Sequence, residues 1–161
     1  MSGFVRTADT VSATFVAEEV ALLTDLLSQF ASVIGERGAR GTDAAVDRLL
    51  PDAYRDNAEY SDEFRRFTED DLAAGKLHNA ASVAQALAAP PLRRGTPVVL
   101  DDAAVQSWLR TLTDLRLTLA ARAGIVSDEP PVPKDEREDM LIAIYDWLGY
   151  LQQSLIEAID I

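Results

Sequence analysis

The stretch from Asp101 to Gly124, DDAAVQSWLRTLTDLRLTLAARAG, decides the fold of this 161-residue chain. Its apolar residues recur at helical spacing, and Leu117 lies on the opposite side from Leu115, so nearly the whole circumference is apolar. A helix of this kind must be covered on several sides. The spacing therefore predicts a central helix, capped at its start by Asp101 or Asp102 and ended by Gly124.

Four further segments predict the helices that cover the central one. Apolar residues at steps of three and four follow each other over 16–34, and Gly35 ends that helix. A short helix over 43–50 begins at an aspartate, a good N-cap, and ends because Pro51 follows. The two remaining predicted helices are long and cover residues 60–87 and about 134–159.

The helix predicted over 60–87 has the least distinct apolar pattern. Alanines in its second half permit close approach of a neighbouring helix. We expect its apolar stripe to face the rest of the bundle. That stripe consists of Tyr60, Phe64, Phe67, Ala74 and Ala81.

The N-terminal residues 3–15 predict a small β-hairpin, because two short β-prone runs flank the turn-prone pair Ala8-Asp9. Two strands alone are marginal in water, so the hairpin must pack on the helices. The proline- and glycine-containing stretch 89–99 is predicted to be an extended connector. The predicted fold is therefore mainly α and a single domain over 1–161. Its hairpin packs at the end of a bundle, residues 16–161, of four main helices and a short one.

Composition and charge exclude several functions. The chain has no cysteine, which rules out thiol nucleophiles, disulfides, zinc–thiolate sites and iron–sulfur clusters. A net charge of −12 disfavours nucleic acids and anionic membranes, whose binders present clustered basic residues. The most apolar run, 140–147, is interrupted by Asp146 and is too short to span a bilayer. We therefore expect a cytoplasmic protein with no nucleic-acid or membrane partner.

The familiar motifs for catalysis and cofactor binding are absent. The acidic runs 69–71 and 136–139 lack the spacing of a calcium-binding loop and are better interpreted as solvated helix faces. The Gly-x-Ser-x-Gly, Gly-x-Gly-x-x-Gly and P-loop patterns do not occur. The sequence thus indicates no catalytic residue, no metal site and no cofactor.

One polar cluster is the candidate for a site. His78, Asp71 and Phe67 point the same way on their helix, and Arg116 projects toward the core edge of the central helix. A half-buried arginine needs a carboxylate, so we predict that Arg116 pairs with Asp71, or with Asp146, and that His78 borders the pair. The cluster is either a small pocket for ligand binding or proton transfer, or a structural salt bridge, and the salt bridge is favoured.

The aromatic residues of the last two helices are predicted to belong to the core. Trp108, Trp147 and Tyr145 could instead mark a partner surface, where such residues are enriched. Tyr150 is the exception, since it points away from Tyr145. With Leu117 it indicates a second apolar face, which means either a larger core or a homodimer interface.

Several segments resemble a bacterial domain-of-unknown-function family that is typical of actinobacteria. These segments are LPDAYRD at 50–56, EFRRFTE at 63–69 with Lys76, WLRTLTDLRL at 108–117 with Gly124-Ile125, and YDWLGYLQ at 145–152. Members are commonly encoded beside the Clp protease adaptor that recognises N-terminal degradation signals, so the resemblance implies a link to regulated proteolysis. Some members carry the label of transcriptional regulator, which the acidic charge argues against here.

Two functions remain open at this point. The favoured one is a non-enzymatic protein-interaction or regulatory module with an unidentified protein partner, tied to Clp-dependent degradation. It would use an exposed apolar or arginine-bearing patch around Tyr54, Arg55, Arg65, Arg66 or Tyr150. The alternative is a small-ligand-binding protein or enzyme that uses Asp71, His78 and Arg116.

Overall fold

Helices make up most of the protein, as the sequence predicts. The structure, a computed structural model, describes residues 3–38, 41–52, 61–125 and 131–160. The elements in these ranges are β1 (Val5–Thr7), β2 (Thr10–Phe15), α1 (Ala17–Gly35), α2 (Ala44–Leu49), α3 (Asp62–Leu87), β3 (Thr96–Leu100), α4 (Asp102–Ala123) and α5 (Glu136–Ile159). No helix in these ranges combines the length and the apolar character needed to cross a membrane.

Helix α4 is central, which confirms the prediction from its all-round apolar pattern. It contacts α1, α2, α3, α5 and β3. The Asp101 carboxylate accepts a hydrogen bond from the backbone N–H of Ala104 and so caps the first turn. Gly124 ends the helix in the left-handed conformation, with φ +73°. Leu112, Leu115 and Leu119 are buried along its length.

Side-chain caps also mark the starts of α2, α3 and α5. The Asp43 carboxylate accepts from Ala45 N at the start of α2, and the Ser61 hydroxyl accepts from Phe64 N at the start of α3. Helix α5 begins one residue after its cap Asp135, close to the predicted start. These caps act within one turn, which is why the local sequence is sufficient to predict them.

The N-terminal strands are part of a three-stranded sheet and do not form an isolated hairpin. Strand β2 pairs with β1 on one side and antiparallel with β3 on the other, with Phe15 opposite Thr96. Strand β3 comes from the stretch predicted to be a connector. Its Thr96, Val98 and Leu100 are buried and alternate with exposed residues, so β3 adds three side chains to the core.

Aromatic rings hold this sheet on α4. Phe15 stacks on Trp108 with ring centroids 5.7 Å apart, and Phe4 meets Trp108 edge-on at 5.3 Å. The backbone N–H of Phe4 donates to Ser154 Oγ at 2.9 Å, which ties β1's start to α5. Trp108 is therefore a core residue, as predicted.

The predicted packing face of α3 is wrong. Its buried residues are Ala73, Ala80, Val83 and Leu87, whereas Phe64, Phe67, Ala74 and Ala81 are exposed. The predicted close approach through alanines is confirmed, because a small side chain lets two helix backbones come together, but the buried alanines are Ala73 and Ala80. Phe64 and Phe67 had placed the predicted stripe one position later. Tyr60 lies outside the described residues.

Candidate functional site

The predicted ion pair of Arg116 is wrong. Its guanidinium carbon lies 4.1 Å from the centroid of the Tyr145 ring, and Nη1 donates to Gln152 Oε1 at 3.2 Å. Gly149 makes room for it, because a Cβ there would lie 3.0 Å from Nη2. Within the part of the chain that the structure describes, Arg116 has no carboxylate within 4.0 Å, and its charge is stabilised by an aromatic face instead.

Asp71 and His78 share one side of α3 with Phe67, as their spacing predicts, but that side faces solvent. Both residues are exposed, and so is Asp146 on α5. None of the contacts made by Arg116 involves these three residues. The structure therefore does not assemble the predicted cluster of Asp71, His78 and Arg116.

A different charged pair lies between α3 and α4. Lys76 Nζ is 2.7 Å from Asp114 Oδ1, and the two side chains are 19% and 4% exposed. Burial raises the pKa of the Asp114 carboxyl, and the Lys76 ammonium opposes that shift. This is a titratable pair at a helix interface, a setting in which functional sites are often found.

The sequence contained one signal for this pair, and it was missed. Asp114 stands between Leu112 and Leu115 in sequence on a helix that is apolar nearly all round, which favours an interface position for its carboxylate. A buried carboxylate requires a cation. Lys76 is 38 positions away in sequence, and nothing local identifies it as the partner.

A cavity of about 480 Å³ opens beside the Lys76–Asp114 pair. Its lining combines both signs of charge with apolar walls. It includes Asp71, Leu72, Gly75, Lys76 and Asn79 from α3 and Leu109, Arg110, Thr113 and Asp114 from α4. A volume of this size is within the range of pockets that bind small molecules.

Comparison with protein families gives one result. Residues 1–159 match the family described as a domain of unknown function (DUF2017). The chain belongs to the DUF2017 family. This confirms that the resemblance noted in the sequence is to a domain-of-unknown-function family. Neither the curated proteins nor the solved structures contain a match to this DUF2017 chain.

The first turns of α3 give this DUF2017 protein an exposed apolar surface. Phe67 is 71% exposed, and Phe64, about one turn earlier, is 42% exposed. We call these two residues the α3 surface. Solvent-facing aromatic side chains on successive turns are typical of protein-binding surfaces.

The remaining predicted interaction residues are scattered. Arg65 is half-buried and contacts Asp52 at 3.9 Å, whereas Arg66 is exposed. Tyr150 on α5 is 47% exposed, which confirms that it points away from the core. Tyr54 and Arg55 lie outside the described residues.

Proposed function

We propose that this DUF2017 protein is a cytoplasmic, non-enzymatic protein-interaction module that docks through the α3 surface. The observation that carries this proposal is the 71% exposure of Phe67 on a helix whose other side is packed. Exposing an aromatic ring forgoes the roughly 2 kcal/mol that burial of such a side chain contributes. A partner that covers the ring would recover that free energy.

The helix that presents the α3 surface is fixed before any partner arrives. Arg37, just beyond α1, forms an ion pair with Asp70 of α3 and lies 3.8 Å from Glu69. The Ser61 hydroxyl caps the first turn by accepting from Phe64 N at 3.1 Å. A preformed helix has less conformational entropy to lose on binding, which favours docking of its apolar side into a groove.

Charge indicates what kind of groove the partner offers. Asp62, Glu63 and Asp71 lie near the α3 surface on the same helix and outnumber the exposed Arg66 there, in a chain whose net charge is −12. An apolar groove with a basic rim is therefore the complementary partner. The first candidate for this partner is the Clp protease adaptor, because the resemblance implies that the two genes are neighbours.

The test is capture of partners by the tagged full-length protein from an extract of the cells that make it. Phe67→Ser removes the ring at an exposed helix position and leaves the core intact. Leu92→Ser is the matched control, because Leu92 is 68% exposed and lies outside α3. Thermal unfolding of both variants verifies that they fold like the wild type.

The proposal expects one or more proteins to be retained by the wild type and by Leu92→Ser, and lost with Phe67→Ser. Mass spectrometry then shows whether Clp components are among them, and their absence would remove the link to proteolysis. Retention of the same proteins by Phe67→Ser would refute docking through the α3 surface. Light scattering reports whether the partner is a second copy of the chain.

A further inference from the structure

The cavity beside Lys76 and Asp114 has features that core packing does not explain. A buried ion pair is often no more stabilising than apolar residues of the same volume, because removing two charges from water costs several kcal/mol. The pair is buried all the same, with Asp114 only 4% exposed. Stability alone therefore gives no reason for placing a lysine and an aspartate in this interface.

Lys76 has hydrogen-bonding capacity left over. An ammonium carries three donors, and within the described ranges the hydrogen bond of Lys76 is the one to Asp114 Oδ1. Lys76 also lines the cavity. The Asn79 side chain lines the same wall one turn later, and its Oδ1 accepts from the Ser107 hydroxyl at 3.2 Å. Helix α3 thus gives the cavity wall two polar side chains, of which Lys76 has donors to spare.

Gly75 keeps the cavity open at a cost to the helix. A glycine in a helix interior destabilises it by about 1 kcal/mol relative to alanine. Neither backbone conformation nor packing requires glycine here: its φ is not positive, and a Cβ would meet no atom within 4 Å. Gly75 lines the cavity, so a large side chain at this position would reduce the space available there.

The rim of the cavity carries two charges of opposite sign. Asp71 on α3 and Arg110 on α4 are both exposed, and neither forms an ion pair with another described residue. Leu72 and Leu109 supply apolar wall between them. The lining therefore offers an acceptor for a cation, a donor for an anion and an apolar surface.

We propose that this cavity is a binding site for a small zwitterion of the free amino-acid class. Arg110 and the spare donors of Lys76 receive its carboxylate, and Asp71 receives its ammonium group. Its apolar part lies against Leu72 and Leu109. Asp114 holds Lys76 in place and is a positioning residue. The proposal goes beyond docking through the α3 surface and does not depend on it.

The experiment is a thermal-shift screen of the full-length protein against the twenty standard amino acids at millimolar concentration, followed by calorimetry on each hit. The N-acetyl and the amide derivatives of each hit remove one charge at a time. Arg110→Gln removes the proposed carboxylate donor. Gly75→Leu fills the cavity, and Ala74→Leu is the matched control, because Ala74 is exposed and does not line the cavity.

At least one free amino acid should bind, and each of its two derivatives should bind about tenfold more weakly or worse. Arg110→Gln and Gly75→Leu should weaken binding to the same degree, while Ala74→Leu leaves it unchanged. Absence of binding by all twenty amino acids overturns the proposal. The proposal is also overturned if a derivative binds as tightly as the free amino acid from which it is made. It is overturned as well if a free amino acid binds to the Gly75→Leu variant as tightly as to the wild type.

Discussion

The Lys76 ammonium lies 2.7 Å from Asp114 Oδ1 across the interface of α3 and α4, so the buried carboxylate has a cation beside it. Lys76→Met keeps the apolar stem and leaves a buried carboxylate without its cation. We expect the free energy of unfolding at neutral pH to fall by about 3 kcal/mol. This is at the lower end of the loss seen when a buried ion pair is broken, because Lys76 is 19% exposed. Urea denaturation measures this loss.

The double variant Lys76→Met with Asp114→Asn is the control for this prediction. It removes both charges, so we expect it to be more stable than Lys76→Met alone. The coupling free energy from the double-mutant cycle isolates the interaction between the two groups. Additive effects of the two substitutions would show that the pair contributes no mutual stabilisation.

The second prediction concerns the pH dependence of Asp114. Burial raises the pKa of Asp114 above its ordinary value of 3.8, so the folded protein takes up this proton more readily than the unfolded chain. Its contribution to stability therefore increases as the pH falls through the folded pKa, and is lost as the pH rises through it. Wild type should gain stability relative to Asp114→Asn on acidification toward pH about 4. A constant difference between the two proteins over this range would contradict the prediction.

The third prediction concerns Asp43, whose pKa is shifted in the opposite direction to that of Asp114. Hydrogen bonds from the Arg122 side chain, with a further one from Ala45 N, lower the pKa of the Asp43 carboxyl. The lowered pKa of Asp43 stabilises the folded protein at pH values above 3.8, the ordinary pKa of an aspartate. This stabilisation is lost as the pH falls through the pKa of Asp43 in the folded protein. Arg122→Gln should lose less than about 1 kcal/mol at neutral pH, and its deficit should shrink in acid and in high salt. Unfolding curves at two salt concentrations test this, and a deficit that persists in acid refutes it.

Local signals in the sequence were enough for much of the fold. Asp43, Asp101 and Gly124 mark helix ends through contacts within a single turn, and an all-round apolar pattern identified α4 as central. Strand β3 was not predictable in this way. Its pairing with β2 joins residues more than eighty positions apart, and the prolines and the glycine of the stretch 89–99 favour a connector.

The candidate site was harder to predict for the same reason. The choice of a partner for Arg116 is made by tertiary packing, and the ring of Tyr145 took the place that a carboxylate was expected to fill. The buried alanines of α3 carry almost no hydrophobic signal, so Phe64 and Phe67 suggested the wrong side. With α3 rotated in the prediction, Lys76 could not be placed opposite Asp114.

The fourth prediction contrasts two aromatic residues. Trp108 is 1% exposed and stacks on Phe15, so Trp108→Ala should cost about 4 kcal/mol of unfolding free energy. Phe67 is 71% exposed, and Phe67→Ala should change it by no more than about 0.5 kcal/mol. Chemical denaturation of both variants provides the comparison. Strong destabilisation by Phe67→Ala would mean that this ring belongs to the core.

The last prediction separates two glycines whose surroundings differ. Gly95 has φ +130°, and a Cβ there would lie 2.4 Å from the carbonyl oxygen of Phe15, where β2 ends. Gly95→Ala must therefore strain its own backbone and displace β3 from β2, and we expect it to cost about 3 kcal/mol. Gly75→Ala meets open space in a helix and should stabilise the protein by about 0.5–1 kcal/mol. Urea denaturation of the two variants checks both signs. A neutral Gly95→Ala would mean that β3 can shift away from Phe15 at no cost, and the sheet would then be a weak part of the fold.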